Sequence, residues 1–383
     1  MRGQGIAIPF LFFFLLGLMV AATAADAATS SPAAPIEPKP GRERVVVAVT
    51  ALNEGTEVTD FLVPYGILSE AGAKAVAVAP KAAPVAFWPA GRIEPDMDFA
   101  RFDAAYPEGA DIVIVPAMHD PEDEAMRGWL RAQAAKGALM VSICEGARVL
   151  AGTGLLDGHR ATGHFWEHES RADDFEAVRW QRNIRYVVDG DRISSAGVSA
   201  SLPTSLMLAE RIAGRERAKE IATHYGVADW GAEHNSDIFG IGMSEMVTAL
   251  KNLFFGWPRT QILVAAQDGV SEVDLAFPLD FPARSWRSSA GIFAPGGKAT
   301  TRHGLTLLAD ETGTPPEGAP HPPARRCGRS RPDAGRPGNA ARGHARLDRG
   351  KLRRRHRPLR GDPARISRGG GHQVSALSLV TGR

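Results

Sequence analysis

Cys144 falls in Val141-Ser142-Ile143-Cys144-Glu145-Gly146-Ala147, where an apolar strand pattern stops and a small-residue helix pattern begins. A thiol placed there sits at a helix N-terminus, whose unpaired N–H groups and positive dipole end favour the nucleophilic thiolate. The competing reading is a small buried hydrophobe, because free cysteine is among the most buried residue types. Two further side chains could share in chemistry. Asp60 lies in the first turns of the helix that follows the first strand. Held near a thiol, its carboxyl group either takes the thiol proton or, when protonated, hydrogen-bonds the thiolate; otherwise it is an ordinary surface carboxylate. His164, in Ala161-Thr162-Gly163-His164-Phe165-Trp166, follows Cys144 by twenty residues, enough chain to cross the intervening helix and return to the same edge. It is either a proton carrier near neutral pH or a capping or surface histidine. His119, His159 and His168 form no ligand pair with carboxylates or thiols at helical or loop spacing, so no metal and no cofactor are expected.

The elements that must position these groups alternate between strand and helix. Val45–Val49, Ala75–Ala79, Asp111–Val115 and Gly137–Val141 are short, continuous apolar runs. Between them, helical spacing runs from Glu57 to Ala71 and from Glu122 to Lys136. Fully apolar strands that alternate with helices predict a parallel sheet covered on both faces. The Asp189-Gly190-Asp191 turn predicts a hairpin, and a helix is expected from Pro203 to Ile212. Residues 43–225 thus read as one α/β domain, with ligands expected beyond the carboxyl ends of the strands. After a connecting segment (226–260), Ile262–Ala266 and Asp268–Pro278 echo the first strand and Glu54–Pro64, with an Asp five residues after the Gly and four before the Pro in both. This echo predicts a partial second repeat over 261–316, ending before any counterpart of Cys144.

The ends differ from this middle. Arg2, the apolar run Ile6–Val20 and the small residues Ala21–Ala27 have the parts of a secretory signal over 1–27, so a periplasmic or secreted protein is expected, or an N-terminally anchored one if the segment is not cleaved. Residues 28–42, rich in proline, read as a tether. From 317 to 383 the chain is dense in Arg, Pro and Gly and loses apolar periodicity, which predicts a disordered tail, or the product of a shifted reading frame. The formal charge of +2 from 45 basic and 43 acidic residues conceals this basic excess in the tail. The folded part is not basic, and no nucleic-acid partner is expected for it.

Taken in order, Ser142-Ile143-Cys144-Glu145-Gly146-Ala147, then Gly154-Leu155-Leu156-Asp157-Gly158-His159-Arg160-Ala161-Thr162-Gly163-His164, then Ile193-Ser194-Ser195-Ala196-Gly197-Val198-Ser199-Ala200 resemble the ThiJ/PfpI superfamily over roughly residues 43–225. The branch most resembled contains isonitrile hydratases and the sensor domains of AraC-type regulators. The resemblance implies a flavodoxin-like sheet sandwiched by helices, Cys144 as the nucleophile of a nucleophile elbow, Asp60 as its acidic partner, His164 at the usual histidine position and a homodimer. It also implies an oxyanion site from the backbone N–H groups of Glu145 and Ala117. Three departures are visible. Glu145 stands where this branch has Thr, and its carboxylate would raise the Cys144 pKa. Ala117-Met118 replace a Gly-Gly pair. Trp166 stands where glutamine amidotransferases carry a Glu, which disfavours glutaminase activity. Two functions follow: a cysteine-dependent hydratase or hydrolase acting on a small electrophile (isonitrile, amide or reactive carbonyl), or a non-catalytic module that binds a small molecule or senses redox state. A transcription regulator is disfavoured, because no helix-turn-helix pair follows residue 225.

Overall fold

A computed structural model describes residues 34–239, 242–256, 260–314 and 379–382. The expected signal segment, Cys327 and nearly all of the Arg-rich tail lie outside the described residues.

Seven strands form the central sheet: β1 (Val46–Thr50), β2 (Lys74–Ala79), β3 (Met97–Asp98), β4 (Ile112–Val115), β5 (Leu139–Ser142), β6 (Tyr186–Asp189) and β7 (Arg192–Ser195). Their order is β6-β7-β5-β4-β1-β2-β3, parallel throughout except for the edge hairpin β6–β7. Alternate strand residues serve opposite faces. Val47 and Val49 pack with Ile112, Ile114 and Val141 beneath helices α1 (Val58–Glu70) and α4 (Ser201–Ala213). Val46 and Ala48 pack with Val113, Val115 and Met140 beneath α2 (Glu124–Ala135) and α3 (Gly146–Ala151). Apolar side chains on both faces explain why these strands read as continuous apolar runs. The expected helices and the Asp189–Arg192 hairpin are present, with ends shifted by one or two residues. Among the described residues no helix is long and apolar enough to cross a membrane.

The described part of the proline-rich tether is bound to the domain. Lys39 N–H donates to Asp111 Oδ1 at 2.8 Å, and the Arg42 guanidinium pairs with Asp111 Oδ2 at 2.9 Å. Residues 260–308, where the echo was expected, form β8 (Thr260–Ala265), α5 (Glu272–Arg284) and β9 (Ser288–Phe293), followed by the strands Lys298–Thr300 and Thr306–Leu308. β8 and β9 pair in parallel, as β1 and β2 do. Thr306–Leu308 joins the first repeat by pairing with Arg92–Glu94 in a five-stranded sheet. α5 lies against α1, so α1 is covered by the sheet on one side and α5 on the other, and every residue from Val58 to Leu68 is buried.

Candidate active site

β5 ends at Ser142 and α3 starts at Gly146, so Cys144 occupies the sharp connection between them. Its φ is 56°, a left-handed conformation that costs a residue with a Cβ on the order of 1 kcal/mol and persists only when the surroundings impose it. Two contacts do so here. Cys144 N–H donates to Ala196 O at 3.1 Å, and Gly146 lies so close to β4 that a Cβ on it would stand 1.9 Å from the Val115 carbonyl oxygen. The Glu145 N–H reaches the Cys144 sulfur. Cys144 is a free thiol, 7 % exposed.

Burial pushes this thiol well above its ordinary range, and the carboxyl groups of Asp60, Glu145 and Glu57 push it further. The expected lowering by a helix N-terminus is overturned. α3 has only six residues, a small dipole against full burial and three nearby acids. The resting thiol is therefore neutral.

Asp60 is fully buried in the first turn of α1. Its Oδ2 accepts the Ala117 N–H at 3.1 Å, and its carboxyl group is hydrogen-bonded to that of Glu57. Burial and then Glu57 raise its pKa well above the carboxylate range, so Asp60 is a protonated acid beside a neutral thiol. Ala117, expected as an oxyanion donor, instead has its N–H engaged by Asp60. Glu57 caps α1. Its Oε2 accepts the Asp60 N–H and the Thr59 hydroxyl, each at 2.7 Å, and its Oε1 accepts from Arg284 of α5 at 3.1 Å. Burial and the neighbouring Asp280 raise the Glu57 pKa to about 7.

This value carries a sign for stability. The folded pKa of Glu57 lies above the ordinary 4.5, so the folded protein holds a proton that the unfolded chain releases. Stability should fall as pH rises from about 4.5 to about 7, by up to about 3 kcal/mol. Glu57→Gln should flatten that part of the pH profile in urea denaturation, and an unchanged profile would show that Glu57 titrates normally.

Glu145 does not stand free beside the sulfur. Its Oε1 is paired with Arg171 Nη1 and accepts the His164 N–H at 3.0 Å, and Arg148 Nε lies 3.7 Å from Oε2. The Arg171 side chain is fully buried, stacked 4.6 Å from the Trp180 ring centre, and a Cβ at Gly163 would strike its guanidinium. The carboxylate expected to raise the Cys144 pKa is thus paired with a buried cation. Arg171→Met should cost about 3 kcal/mol in urea denaturation, because it removes the fully buried cation of the pair and leaves the largely buried Glu145 carboxylate to Arg148 alone, and adding Glu145→Gln should recover part of the loss.

His164 is drawn to the same turn. A Cβ at Gly197 would lie 2.5 Å from its Cδ2, so the ring packs on the Ala196-Gly197 backbone that also holds the Cys144 N–H. Its Nδ1 accepts the Trp166 N–H at 3.4 Å. Burial, then Arg171 and Arg284, lower its pKa to about 4, leaving a neutral imidazole at ordinary pH. No hydrogen bond joins the ring to Cys144. A cleft of about 200 Å³ is lined by the residues on either side of His164, Gly163 and Phe165, with Thr162 and Asn183 among others, but by neither His164 nor Cys144. Among the described residues no group of three or more His, Cys, Asp and Glu is placed to hold a metal.

The structure places Cys144, Asp60, Glu145, Ala117 and His164 near one another, together with Glu57, Arg171 and Arg284. Glu57 carried a signal, as an acid just ahead of a helix. Arg171 in Glu169-Ser170-Arg171 reads as a surface residue, and Arg284 belongs to the other repeat.

Residues 43–211 match the model of the DJ-1/PfpI family. Over 98 residues the chain is 34 % identical to the isonitrile hydratase of Pseudomonas putida, covering 26 % of this chain and 42 % of that one. Over 118 residues it is 30 % identical to the HTH-type transcriptional regulator CdhR of Pseudomonas aeruginosa, covering 30 % of this chain and 35 % of that one. The match thus spans less than half the length of either relative. The crystal structure of Drosophila melanogaster DJ-1beta superposes with a TM-score of 0.44 at 24 % identity, covering 49 % of this chain and all of that one.

Proposed function

Because residues 43–211 are a DJ-1/PfpI family domain, we propose that Cys144 is the nucleophile of a hydratase or hydrolase acting on a small electrophile, with isonitriles as the first candidate class. The observation that carries this reading is the buried, protonated Asp60, hydrogen-bonded to Glu57 and set beside a thiol held in a strained turn. An isonitrile carbon takes up a proton and a sulfur at the same atom, and a neutral thiol beside a neutral acid can supply both. In the first step the sulfur bonds to that carbon, Asp60 protonates it, and the thiol proton returns to Asp60. The product is a thioimidate on Cys144. Water then adds to the same carbon with a proton passing to nitrogen, the C–S bond breaks, and an N-substituted formamide leaves with the thiol restored. The Glu145 N–H steadies the sulfur, and neutral His164 is available to accept a proton from the water. The test is formamide production from a panel of isonitriles by the full chain, with amides and reactive carbonyls alongside. Turnover lost in Cys144→Ala supports the reading.

One observation favours a second reading, a non-catalytic small-molecule or redox-sensing module. With the Ala117 N–H engaged by Asp60 and the thiol pKa raised, the site offers an anionic intermediate few donors. Ligand binding without turnover of any of the three substrate classes would decide for it.

A further inference from the structure

We propose that the partial second repeat serves the first as a built-in partner, covering the α1 face where a second copy would dock and contributing Arg284 as a positioning residue for the Cys144 site. The inference rests on the reading of Cys144 as the centre of that site.

The two repeats match element by element without insertion. Val46 corresponds to Thr260, Val58 to Glu272, Lys74 to Ser288 and Arg92 to Thr306, each pair opening the same strand or helix. They meet about a local two-fold axis. Arg92–Glu94 pairs antiparallel with its own counterpart, Thr306–Leu308, and Ile93 stands opposite its equivalent, Leu307. α1 packs on its equivalent, α5, closely enough that a Cβ at Gly66 would lie 2.9 Å from Val273. Contacts recur with the copies exchanged. Arg284 lies 4.4 Å over the Trp88 ring. The exchanged contact sets the counterpart of Trp88, Arg302, on the counterpart of Arg284, Glu70, at 3.1 Å. Such reciprocity is the mark of an isologous interface between two copies, here enclosed in one chain. A homodimer of this protein would have to use another face.

The interface is not symmetric in chemistry. On the Cys144 side, Arg284 bonds Glu57 Oε1 at 3.1 Å and Asp280 at 2.8 Å, and the other Glu57 oxygen holds the Asp60 N–H. On the opposite side Glu70 meets Arg302 and the Tyr225 hydroxyl, with no cysteine nearby among the described residues. Glu57 faces Asp60 on its own helix, Asp280 and Arg284 on α5, and Cys144 on the strand turn. Arg284 is the cation acting on this cluster. It fixes the Glu57 carboxylate and, through it, the charge around Asp60 and the thiol.

The test compares full-chain Arg284→Ala, Arg284→Lys and Arg302→Ala by urea midpoint from pH 5 to pH 9. Loss of the Arg284 charge should make Glu57 hold its proton to higher pH. The fall in midpoint should then continue about one pH unit further in Arg284→Ala, be restored largely to the wild-type pH in Arg284→Lys, and keep its wild-type position in Arg302→Ala. A parallel drop at every pH in Arg284→Ala, or the same displacement in Arg302→Ala, would overturn the proposal. Because this readout does not use the thiol, an unreactive Cys144 would sink the nucleophile reading alone.

Discussion

Cys144→Ala should abolish turnover of any substrate found for this protein, with a loss on the order of 10³-fold or more, because no other thiol stands among the described residues. Cys144 is the free cysteine among the described residues. Asp60→Ala should cost on the order of 10²–10⁴-fold in kcat through loss of proton transfer. It should also cost about 1–3 kcal/mol of stability, because the Ala117 N–H would lose its buried acceptor. Asp60→Asn separates the two effects: its amide oxygen can still accept from Ala117, so stability should recover while activity does not. Equal recovery of both would assign Asp60 a structural role only.

Gly146→Ala should lose about 3 kcal/mol or more, or fail to fold. The added Cβ would meet backbone on every near side, 1.9 Å from Val115 O and 2.8 Å from Val115 C, and β4 is the strand beside β5 in the middle of the sheet. Neither strand can retreat without breaking parallel pairing on both flanks. Gly128→Ala is the control. Gly128 sits inside α2 with nothing within 4 Å of an added Cβ, so that substitution should be neutral or stabilising by up to about 1 kcal/mol. Urea denaturation of the two variants checks the contrast, and near-wild-type stability of Gly146→Ala would mean that the turn under Cys144 is not fixed by this approach.

The legible parts of the fold were those written in local pattern. β1, β2, β4 and β5 declared themselves as apolar runs because both of their faces are buried, and the small residues after Cys144 marked the turn because only they let α3 approach β4. α1 was legible as a helix, but its burial was not, because its polar Thr59 and Asp60 face the site and its other side meets α5, a helix more than 200 residues away in the chain. Residues 268–278 were readable as an echo of Glu54–Pro64, whereas the pairing of Leu307 with Ile93 is a contact that no periodicity records. The charge state of the thiol was misread for a related reason. A helix start is a local signal that argues for thiolate, while the burial and two of the three acids that outweigh it, Asp60 and Glu57, come from a distant segment brought in by folding; only Glu145 was legible beside the thiol. Arg171 escaped notice because its partner, Glu145, lies 26 residues earlier and its stacking surface, Trp180, nine residues later.

The central claim is that Cys144 is a nucleophile kept neutral at rest and coupled to Asp60. The pH dependence of Cys144 alkylation in the full chain, compared with Asp60→Asn, tests it most directly. The account predicts an apparent thiol pKa above the free value of about 8.5 that moves in the mutant. A pKa at or below the free value, unchanged by Asp60→Asn, would contradict it.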